Sequence, residues 1–238
     1  MKNKTKILIR KKAYESLKIQ PYRDLMELKN KRVNDSTYSL KCFENTKSIF
    51  VHIPKSAGIS ITSSIYGCLA GGHLKMTDYA IAFTPRELDE FFKFTFVRNP
   101  FDRLYSAYNF LSKGGITKND EDYNRSILSK YQNFEDFVLY GLQRSEVINH
   151  THFIPQTNFL SLFGNLVIDF IGRFENIEND FQLVCKKLGI ERSLPKKNIT
   201  ATGNEPIKSM YNSKMITKVT SIYASDFYNF GYRTDAKR

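Results

Sequence analysis

The sequence predicts an α/β fold with a central, mainly parallel sheet flanked by helices. Three short apolar runs, at about residues 48–53, 91–97 and 166–171, are each followed by a segment with helical character. Strands that alternate with helices pair in parallel, because each crossover returns the chain to the same end of the sheet. The length of 238 residues suits one ordinary domain. We therefore expect a single domain of this class.

The first strand is predicted to run into a small turn and a helix. Residues 50–53 are apolar apart from His52, and the turn that follows is Pro-Lys-Ser-Ala-Gly. After the turn, Ile61, Ile65 and Leu69 recur at a spacing of four residues. This spacing predicts a helix with one buried stripe.

The second strand is predicted to repeat this layout. The Phe-rich run at 91–97 is typical of a strand covered on both faces, and Pro100 suits the first turn of a helix that ends near Leu111. Residues 112–133 are polar with little regular pattern, so we expect a mobile segment near a substrate opening. Asn133 is suited to cap a helix over residues 134–142.

The third strand, at about 166–171, precedes a predicted helix at 177–188 that Gly189 ends at its C′ position. A last helix is predicted at about 213–223. Residues 1–45 are rich in Lys, Arg, Asn and Glu and precede the first strand. We expect them to form a basic N-terminal extension packed on the core, with the main domain over residues 46–238.

The chain is basic, with 36 Lys and Arg residues against 24 Asp and Glu residues and a formal net charge of +12. This charge favours anionic partners such as nucleotides, acidic glycans, nucleic acid or a membrane surface.

The cysteines and the apolar runs bear on the compartment. Cys42, Cys68 and Cys185 are odd in number, far apart in sequence and without a CxxC pair, so neither a disulfide framework nor a zinc site is predicted. The chain has no stretch of about 18 apolar residues, and its start lacks a signal-peptide core. We therefore expect a cytoplasmic protein without a transmembrane segment, with peripheral membrane association left open.

The turn and helix start at residues 54–61 have the layout of a phosphate cradle. A helix N-terminus carries unpaired N–H groups and a partial positive charge. Gly58 allows close approach of the backbone, Lys55 adds a mobile positive charge, and Ser60 offers a hydroxyl. The alternative is an ordinary strand-turn-helix corner with a solvated lysine.

A second anion site is predicted after the second strand. Arg98 stands where that strand ends, and Ser106 falls about two turns into the next helix. The alternative is a structural ion-pair set made by Arg98, Asp102 and Arg103. Two anion sites suggest a ligand phosphorylated at two places. The GxxxxGK[ST] and GxGxxG patterns are absent, which argues against common kinases and dehydrogenases.

Together these segments resemble the sulfotransferase family that includes the Golgi carbohydrate sulfotransferases and many bacterial relatives. The resemblance covers roughly residues 48–232. It rests on Phe-Val-His-Ile-Pro-Lys-Ser-Ala-Gly at 50–58, Phe-Val-Arg-Asn-Pro-Phe-Asp-Arg-Leu-Tyr-Ser-Ala-Tyr at 96–108, His-Phe-Ile-Pro-Gln at 152–156, Gly-Arg-Phe-Glu-Asn at 172–176, and the C-terminal segment from Asp226-Phe227 to Gly231-Tyr232.

The resemblance implies a P-loop-like domain that uses 3′-phosphoadenosine 5′-phosphosulfate (PAPS) as the sulfonate donor and no metal. The acceptor would be a hydroxyl or amine of a carbohydrate or related small molecule, and the other product would be adenosine 3′,5′-bisphosphate (PAP). Arg98 and Ser106 would bind the 3′-phosphate, and Arg173 would approach the donor. The 5′-phosphosulfate would be held by Lys55, Ser56, Ala57, Gly58, Ile59, Ser60 and Ile61.

An acceptor hydroxyl also needs a general base. The resemblance favours His73, because related sulfotransferases often carry a histidine in this region, with a solvated loop histidine as the alternative. His152 is a second candidate that either faces the acceptor or braces a turn. Glu175 could act as base or pair with an arginine, whereas His52 better fits a buried neutral ring. We therefore assign catalysis to Lys55, His73 and His152.

Two functions of other classes stay open. One is an atypical P-loop-like kinase, which would bind ATP with magnesium in preference to PAP. The other is a non-catalytic binder of nucleic acid or another anionic polymer, which the charge of +12 suggests. The basic residues are dispersed and no RNA-recognition or zinc-finger signature occurs, so no nucleic-acid partner is expected.

Overall fold

The computed structural model describes residues 22–195 and 207–235. Within these ranges the chain divides into two compact units. The first unit comprises residues up to 53, 57–97 and 157–195 and contains the strands. The second comprises residues 54–56, 98–156 and those from 207 onwards, and it is helical.

The helices and strands follow one another along the described chain with short 3-10 turns at Leu128–Lys130, Phe174–Asn176 and Ile207–Met210. In chain order they are α1 (Tyr22–Val33), α2 (Lys41–Thr46), β1 (Ser48–Val51), α3 (Gly58–Tyr66), α4 (Met76–Ala82), α5 (Pro85–Glu90), β2 (Phe92–Val97), α6 (Pro100–Ser112), α7 (Lys118–Ser126), α8 (Phe134–Asp136, continued by a π-helix at Phe137–Gly141), α9 (Ser145–Ile148), α10 (Gln156–Leu160), β3 (Ser161–Leu162), β4 (Asn165–Leu166), β5 (Phe170–Arg173), α11 (Ile177–Leu188), α12 (Ser213–Ile222) and α13 (Ala224–Phe230).

A parallel sheet in the order β1-β2-β5 lies at the centre of the first unit. Phe94 in β2 pairs with Phe50 in β1 on one side and with Phe170 in β5 on the other. The predicted α/β class with a mainly parallel sheet is confirmed. Because the strands are parallel, their carboxyl ends lie at one edge, where ligand sites form in folds of this class.

The central strand carries a buried lysine whose ammonium is paired. The ammonium of Lys93 donates to the carbonyl oxygens of Leu88 and Phe91, both at 2.8 Å, and lies 2.6 Å from a carboxylate oxygen of Asp169. The same carboxylate accepts from the Lys93 backbone N–H at 2.9 Å. A buried charge is tolerated only when it is paired in this way, so these bonds hold the segment before β5 against β2.

The second unit is built around a core of aromatic and aliphatic side chains. Helix α6 begins with Asn99, whose side chain accepts from the Phe101 N–H, followed by Pro100 at the first helical position. The hydroxyl of Tyr211 donates to the Phe101 carbonyl at 2.8 Å, and that of Tyr223 to the Phe153 carbonyl at 2.7 Å. The core is formed by Phe101, Leu104, Ala107, Leu111, Leu128, Phe137, Val138, Leu142, Val147, Phe153, Tyr211, Met215, Val219, Tyr223 and Phe227.

Several predicted elements are confirmed with small differences in their bounds. The helix of the first turn buries Ile61 and Ile65, but it ends at Tyr66, so Leu69 lies beyond it. Asn133 caps the helix after it by accepting from the Asp136 N–H at 2.9 Å. Gly189, at φ 67°, ends α11 as predicted.

Two predictions about the fold are wrong. The polar stretch at 112–133 is not irregular throughout, because it holds α7, which a reciprocal capping box between Thr117 and Asp120 starts. That this stretch is mobile and lies near a substrate opening stays a prediction. The apolar run at 166–171 is divided, because residues 165–166 belong to a short hairpin with 161–162, while the sheet strand begins only at Phe170.

The N-terminal part of the described chain packs within the first unit. Leu28, Leu40 and Phe43 are buried, and Arg32 pairs with Glu44 and, at 2.7 Å, with Glu87. Residues 1–21 of the predicted extension lie outside the described residues, and the division at residue 45 stays a prediction. Among the described helices, none combines the length and apolar character that a membrane crossing requires.

Candidate active site

The turn after β1 holds two residues in the left-handed backbone region. Lys55 has φ 71° and Ala57 has φ 62°, whereas Ser56 between them does not. A non-glycine residue pays about 1 to 2 kcal/mol for this conformation. Such strain marks functional turns, and alternating backbone conformations direct successive N–H groups into an anion-binding concavity. Helix α3 begins at the next residue, and its N-cap Ala57 supplies no side-chain hydrogen bond.

Two buried arginines of the second unit hold the carbonyl oxygens of this turn. Nε of Arg103 donates to the Pro54 carbonyl at 3.0 Å, and one terminal nitrogen of Arg98 donates to the Lys55 carbonyl at 3.2 Å. In a trans peptide the N–H points away from the C=O of the same unit. The N–H groups of Lys55 and Ser56 are therefore turned away from the arginines, as a phosphate cradle requires.

Arg103 also braces the segment that leads to α10. Its terminal nitrogen donates to the Ile154 carbonyl at 2.9 Å, and its side chain is almost completely buried. Burial lowers the pKa of this guanidinium, and the carboxylate of Asp226 acts in the opposite direction. The ion-pair set given as the alternative does not describe these bonds of Arg103, because both go to main-chain oxygens. Arg103 is thus a positioning residue for the turn.

Arg98 belongs to a chain of buried hydrogen bonds. Its backbone N–H donates to the Gln156 side-chain oxygen at 2.9 Å, and the Gln156 amide donates to the Arg98 carbonyl at 2.8 Å. The backbone N–H of Gln156 donates in turn to Asp226 at 2.8 Å. Gln156 and Asp226 are both fully buried, so these bonds fix the point at which the chain leaves β2.

Gly58 is required by a neighbouring ring in the first unit. A Cβ at this position would lie 1.8 Å from Cδ2 and 2.0 Å from Nε2 of His52, far inside an ordinary contact. The His52 ring is itself buried against the rings of Phe50 and His73. The sequence predicted a close approach to the backbone at Gly58, and in the structure the His52 ring makes such an approach. This agrees with the expectation of a buried His52.

Two buried hydroxyls near the turn find no hydrogen-bond partner among the described residues. Ser56 and Ser60 are 1% and 2% exposed, and Oγ of each is without a partner there. A buried polar atom without a partner is costly, and it is found where a ligand or water completes the site. Each hydroxyl is by itself suited to donate to an anionic oxygen.

The Lys55 ammonium lies in an apolar and electropositive setting. Its Nζ lies 4.0 Å from the centre of the Phe110 ring. Burial and the positive charge of Arg98 lower the pKa of Lys55 to about 8, and Asp120 opposes this shift. The negative charge of a bound anion would oppose this shift, so the ammonium is poised to gain from anion binding.

The other residues assigned to the donor are placed as follows. Ser106 is half-buried on the second turn of α6, and Ile59 is exposed on the first turn of α3, whereas Ile61 is buried. Arg173 ends β5, pairs in register with Val97, and is exposed. Its backbone N–H donates to Asp180 at 2.7 Å.

His73 is exposed on the loop after α3 and contacts the main chain beside the turn. Its Nδ1 is 3.2 Å from the His52 carbonyl oxygen. Because a carbonyl oxygen only accepts, this contact assigns the proton of the neutral ring to Nδ1. The lone pair then resides on Nε2, which is the tautomer that a general base needs. Glu175, the other candidate base in this unit, is exposed.

His152 is part of a stack of four rings in the second unit. The rings follow one another as Tyr123, His150, His152 and Phe110, with centroids 3.9, 5.4 and 5.3 Å apart and interplanar angles below 30°. Because Phe110 also carries the Lys55 ammonium, the stack ends at the cradle lysine. The structure thus brings His152 and Lys55 into one cluster.

Sequence reasoning missed the contribution of Arg103, Gln156 and Phe110 to this site. Arg103 and Gln156 lie in the motifs on which the resemblance rests, and this position was a signal that they belong to the site. Their contacts could not be read from the sequence, because they are with residues about 50 positions away. Phe110 had no signal beyond its place in α6.

Comparison with known proteins decides the family. The model of the sulfotransferase family matches residues 38–233, which is most of the chain. The chain belongs to this family. Carbohydrate sulfotransferase 14 of Danio rerio is 26% identical over 166 residues, or 61% of this chain and 45% of that protein. Carbohydrate sulfotransferase 10 of Gallus gallus is 28% identical over 187 residues, or 67% of this chain and 51% of that protein.

This sulfotransferase-family chain spans about half the length of those carbohydrate sulfotransferases. An uncharacterized protein of Archaeoglobus fulgidus is 28% identical over 113 residues, which are 48% of this chain and 80% of that protein. No solved structure gives a significant match. The predicted family is therefore confirmed, and the roles of the individual site residues stay predictions.

Proposed function

We propose that this sulfotransferase-family protein transfers a sulfonate group from PAPS to a hydroxyl or amine of a carbohydrate or related acceptor. The observation that carries the proposal is the turn at residues 54–56, whose carbonyl oxygens are held by buried arginines and whose N–H groups face the other way. The match to the family supports PAPS as the donor. The names of the relatives support a carbohydrate acceptor.

The residues at the turn fit the charge of this donor. The Ser56 and Ser60 hydroxyls are buried without a partner among the described residues, and the N-terminus of α3 has no side-chain cap. An anionic oxygen would accept from these groups and meet the partial positive charge of the helix start. We assign residues 55–61 to the 5′-phosphosulfate, and Arg98, Ser106 and Arg173 to the remainder of the donor.

Lys55 is assigned the charge that develops during transfer. PAPS supplies the sulfonate group and leaves as PAP. The Lys55 ammonium, held over Phe110 and next to a buried arginine, is a preorganised donor for the oxygen that gains negative charge. Removal of one such donor lowers turnover by roughly 10² to 10³ in well-studied enzymes.

The proton of the acceptor is assigned to His73. Its Nδ1–H is used by the His52 carbonyl, so the neutral ring offers Nε2 to an acceptor hydroxyl. His152, fixed between Phe110 and His150, is assigned a contact with the acceptor. We also propose that the protein acts in the cytoplasm and that residues 1–45 are an extension of the main domain.

The experiment that tests this function is transfer of radiolabelled sulfonate from PAPS to a panel of neutral and acidic oligosaccharides. Lys55→Ala is compared with Lys113→Ala, which removes the same charge from an exposed position at the end of α6. We expect labelled product with the unchanged protein and with Lys113→Ala, and at least 100-fold less with Lys55→Ala.

Binding assays distinguish this function from its alternatives. Failure of the unchanged protein to bind PAP at millimolar concentration would contradict the proposal. A preference for ATP with magnesium over PAP would support the kinase alternative. Tight, steeply salt-dependent RNA binding without PAP binding would support the anionic-polymer alternative.

A further inference from the structure

Two cysteines that are far apart in sequence meet in the first unit. Sγ of Cys68 lies 3.5 Å from Sγ of Cys42, 26 positions earlier in the chain. Cys42 lies on α2, and Cys68 directly follows Gly67, which ends α3. Both are half-buried, so a small reagent can reach them, whereas the third cysteine, Cys185, is buried in α11.

We propose that Cys42 and Cys68 are a site of reversible disulfide formation by exchange with a small-molecule disulfide such as oxidised glutathione. The two sulfur atoms have to approach from 3.5 Å to a bond of about 2.05 Å. We expect rotation of the two half-buried side chains to supply this movement. The absence of a CxxC pair hid this site in the sequence, and the proposal is independent of the proposed transferase activity.

The exchange proceeds in two balanced steps. The Cys68 thiolate attacks one sulfur of oxidised glutathione, which forms a mixed disulfide and releases one glutathione thiolate. The Cys42 thiolate then attacks the Cys68 sulfur, which forms the protein disulfide and releases the second glutathione. The two protein thiols lose two protons and two electrons, and the oxidised glutathione is reduced to two thiols.

The surroundings of Cys42 favour this order of steps. The Cys42 S–H donates to the Ser39 carbonyl at 3.5 Å, and the Cys68 S–H donates to the Cys42 sulfur. Burial, together with the neighbouring Cys68, raises the pKa of Cys42 to about 12. Cys42 is therefore the resolving thiol, and Cys68 is the thiol that meets the reagent.

The disulfide would join α2 to the C-terminal end of α3. The N-terminus of this helix follows the turn at residues 54–56. Closing this loop removes conformations from the unfolded chain and so stabilises the folded one. The cradle itself lies at the opposite end of α3 from Cys68. We therefore expect the disulfide to raise stability and to leave the affinity for PAP within twofold.

The test is to incubate the intact protein at low micromolar concentration with oxidised glutathione and to measure thiols, mass and melting temperature. We expect two of the three thiols to disappear, the mass to fall by that of two hydrogen atoms, and peptide mapping to join Cys42 to Cys68. The melting temperature should rise by roughly 5 to 10 °C, and dithiothreitol should reverse the rise.

Serine variants make the outcome decisive. Cys42→Ser should accumulate glutathione on Cys68, since the resolving thiol is absent, and Cys185→Ser should behave like the unchanged protein. A mixed disulfide that persists in the unchanged protein would overturn the proposal. So would a disulfide that involves Cys185, a disulfide between two molecules, or retention of all three thiols.

Discussion

Replacement of Gly58 by alanine should destabilise the first unit by overpacking. The new methyl group would lie 1.8 Å from Cδ2 of His52, so the ring or the turn must move by roughly 1.6 Å to restore an ordinary contact. His52 is only 5% exposed and packs against Phe50 and His73, which leaves little space for this movement. We expect a loss of about 2 kcal/mol in the free energy of unfolding.

The double variant Gly58→Ala with His52→Ala isolates the clash. Without the ring, the methyl group has room, so the double variant should be about as stable as His52→Ala alone. Urea unfolding followed by circular dichroism measures the four stabilities, and the expected coupling between the two sites is about 2 kcal/mol. Strict additivity, or a Gly58→Ala protein within 0.5 kcal/mol of the unchanged one, would contradict a clash between position 58 and the His52 ring.

Three further predictions concern the cradle and the base. Because the pKa of Lys55 is about 8, the affinity for PAP should be constant below that pH and fall as the pH rises through it. Lys55→Arg stays charged, so it should flatten this profile in calorimetric titrations. An unchanged profile in that variant would exclude Lys55 as the titrating group. Arg103→Met should lower the free energy of unfolding by about 2 to 4 kcal/mol, because the Pro54 and Ile154 carbonyls lose their donor. Chemical unfolding measures this loss, and a change below 0.5 kcal/mol would contradict the assigned contacts. His73→Ala should lower turnover by roughly 10² while the Kd for PAP changes less than threefold, and near-normal turnover would transfer the role of base to His152 or Glu175.

Local sequence patterns were sufficient to predict the elements that pack through a regular apolar face. The Phe-rich run at 92–97 and the stripe of Ile61 and Ile65 predict buried faces directly. Gly189 and Asn133 are residue types that suit helix ends. The cradle could be proposed for the same reason, since a strand, a turn with lysine and a helix start are adjacent in sequence.

Helix α7 shows why periodicity failed elsewhere. It has no buried residue, so it carries no apolar stripe. Its only local signal was the capping pair Thr117 and Asp120, with hydrogen bonds of 3.2 and 2.9 Å in the two directions. The start of β5 was misplaced for a different reason, because its register is fixed by pairing with β2 and not by the apolar run itself.

The contacts that complete the site join residues distant in sequence. Arg103 reaches Pro54 across 49 positions, and Gln156 reaches Asp226 across 70. The pairing of Cys42 with Cys68 is of the same kind. One sequence states which residue types are present in these segments, but not which of them meet, because that depends on the packing of whole helices and strands.

The decisive measurement is the affinity of the protein for PAP, obtained by isothermal titration calorimetry with the unchanged protein, Lys55→Ala, Arg98→Ala and the charge-matched control Lys113→Ala. We predict that the unchanged protein and the control bind PAP with the same Kd. Lys55→Ala and Arg98→Ala should each bind at least tenfold more weakly, as expected for the loss of about 1.5 to 3 kcal/mol from a charged hydrogen bond. Equal binding by all four proteins would contradict the assignment of the turn at residues 54–61 as the donor cradle.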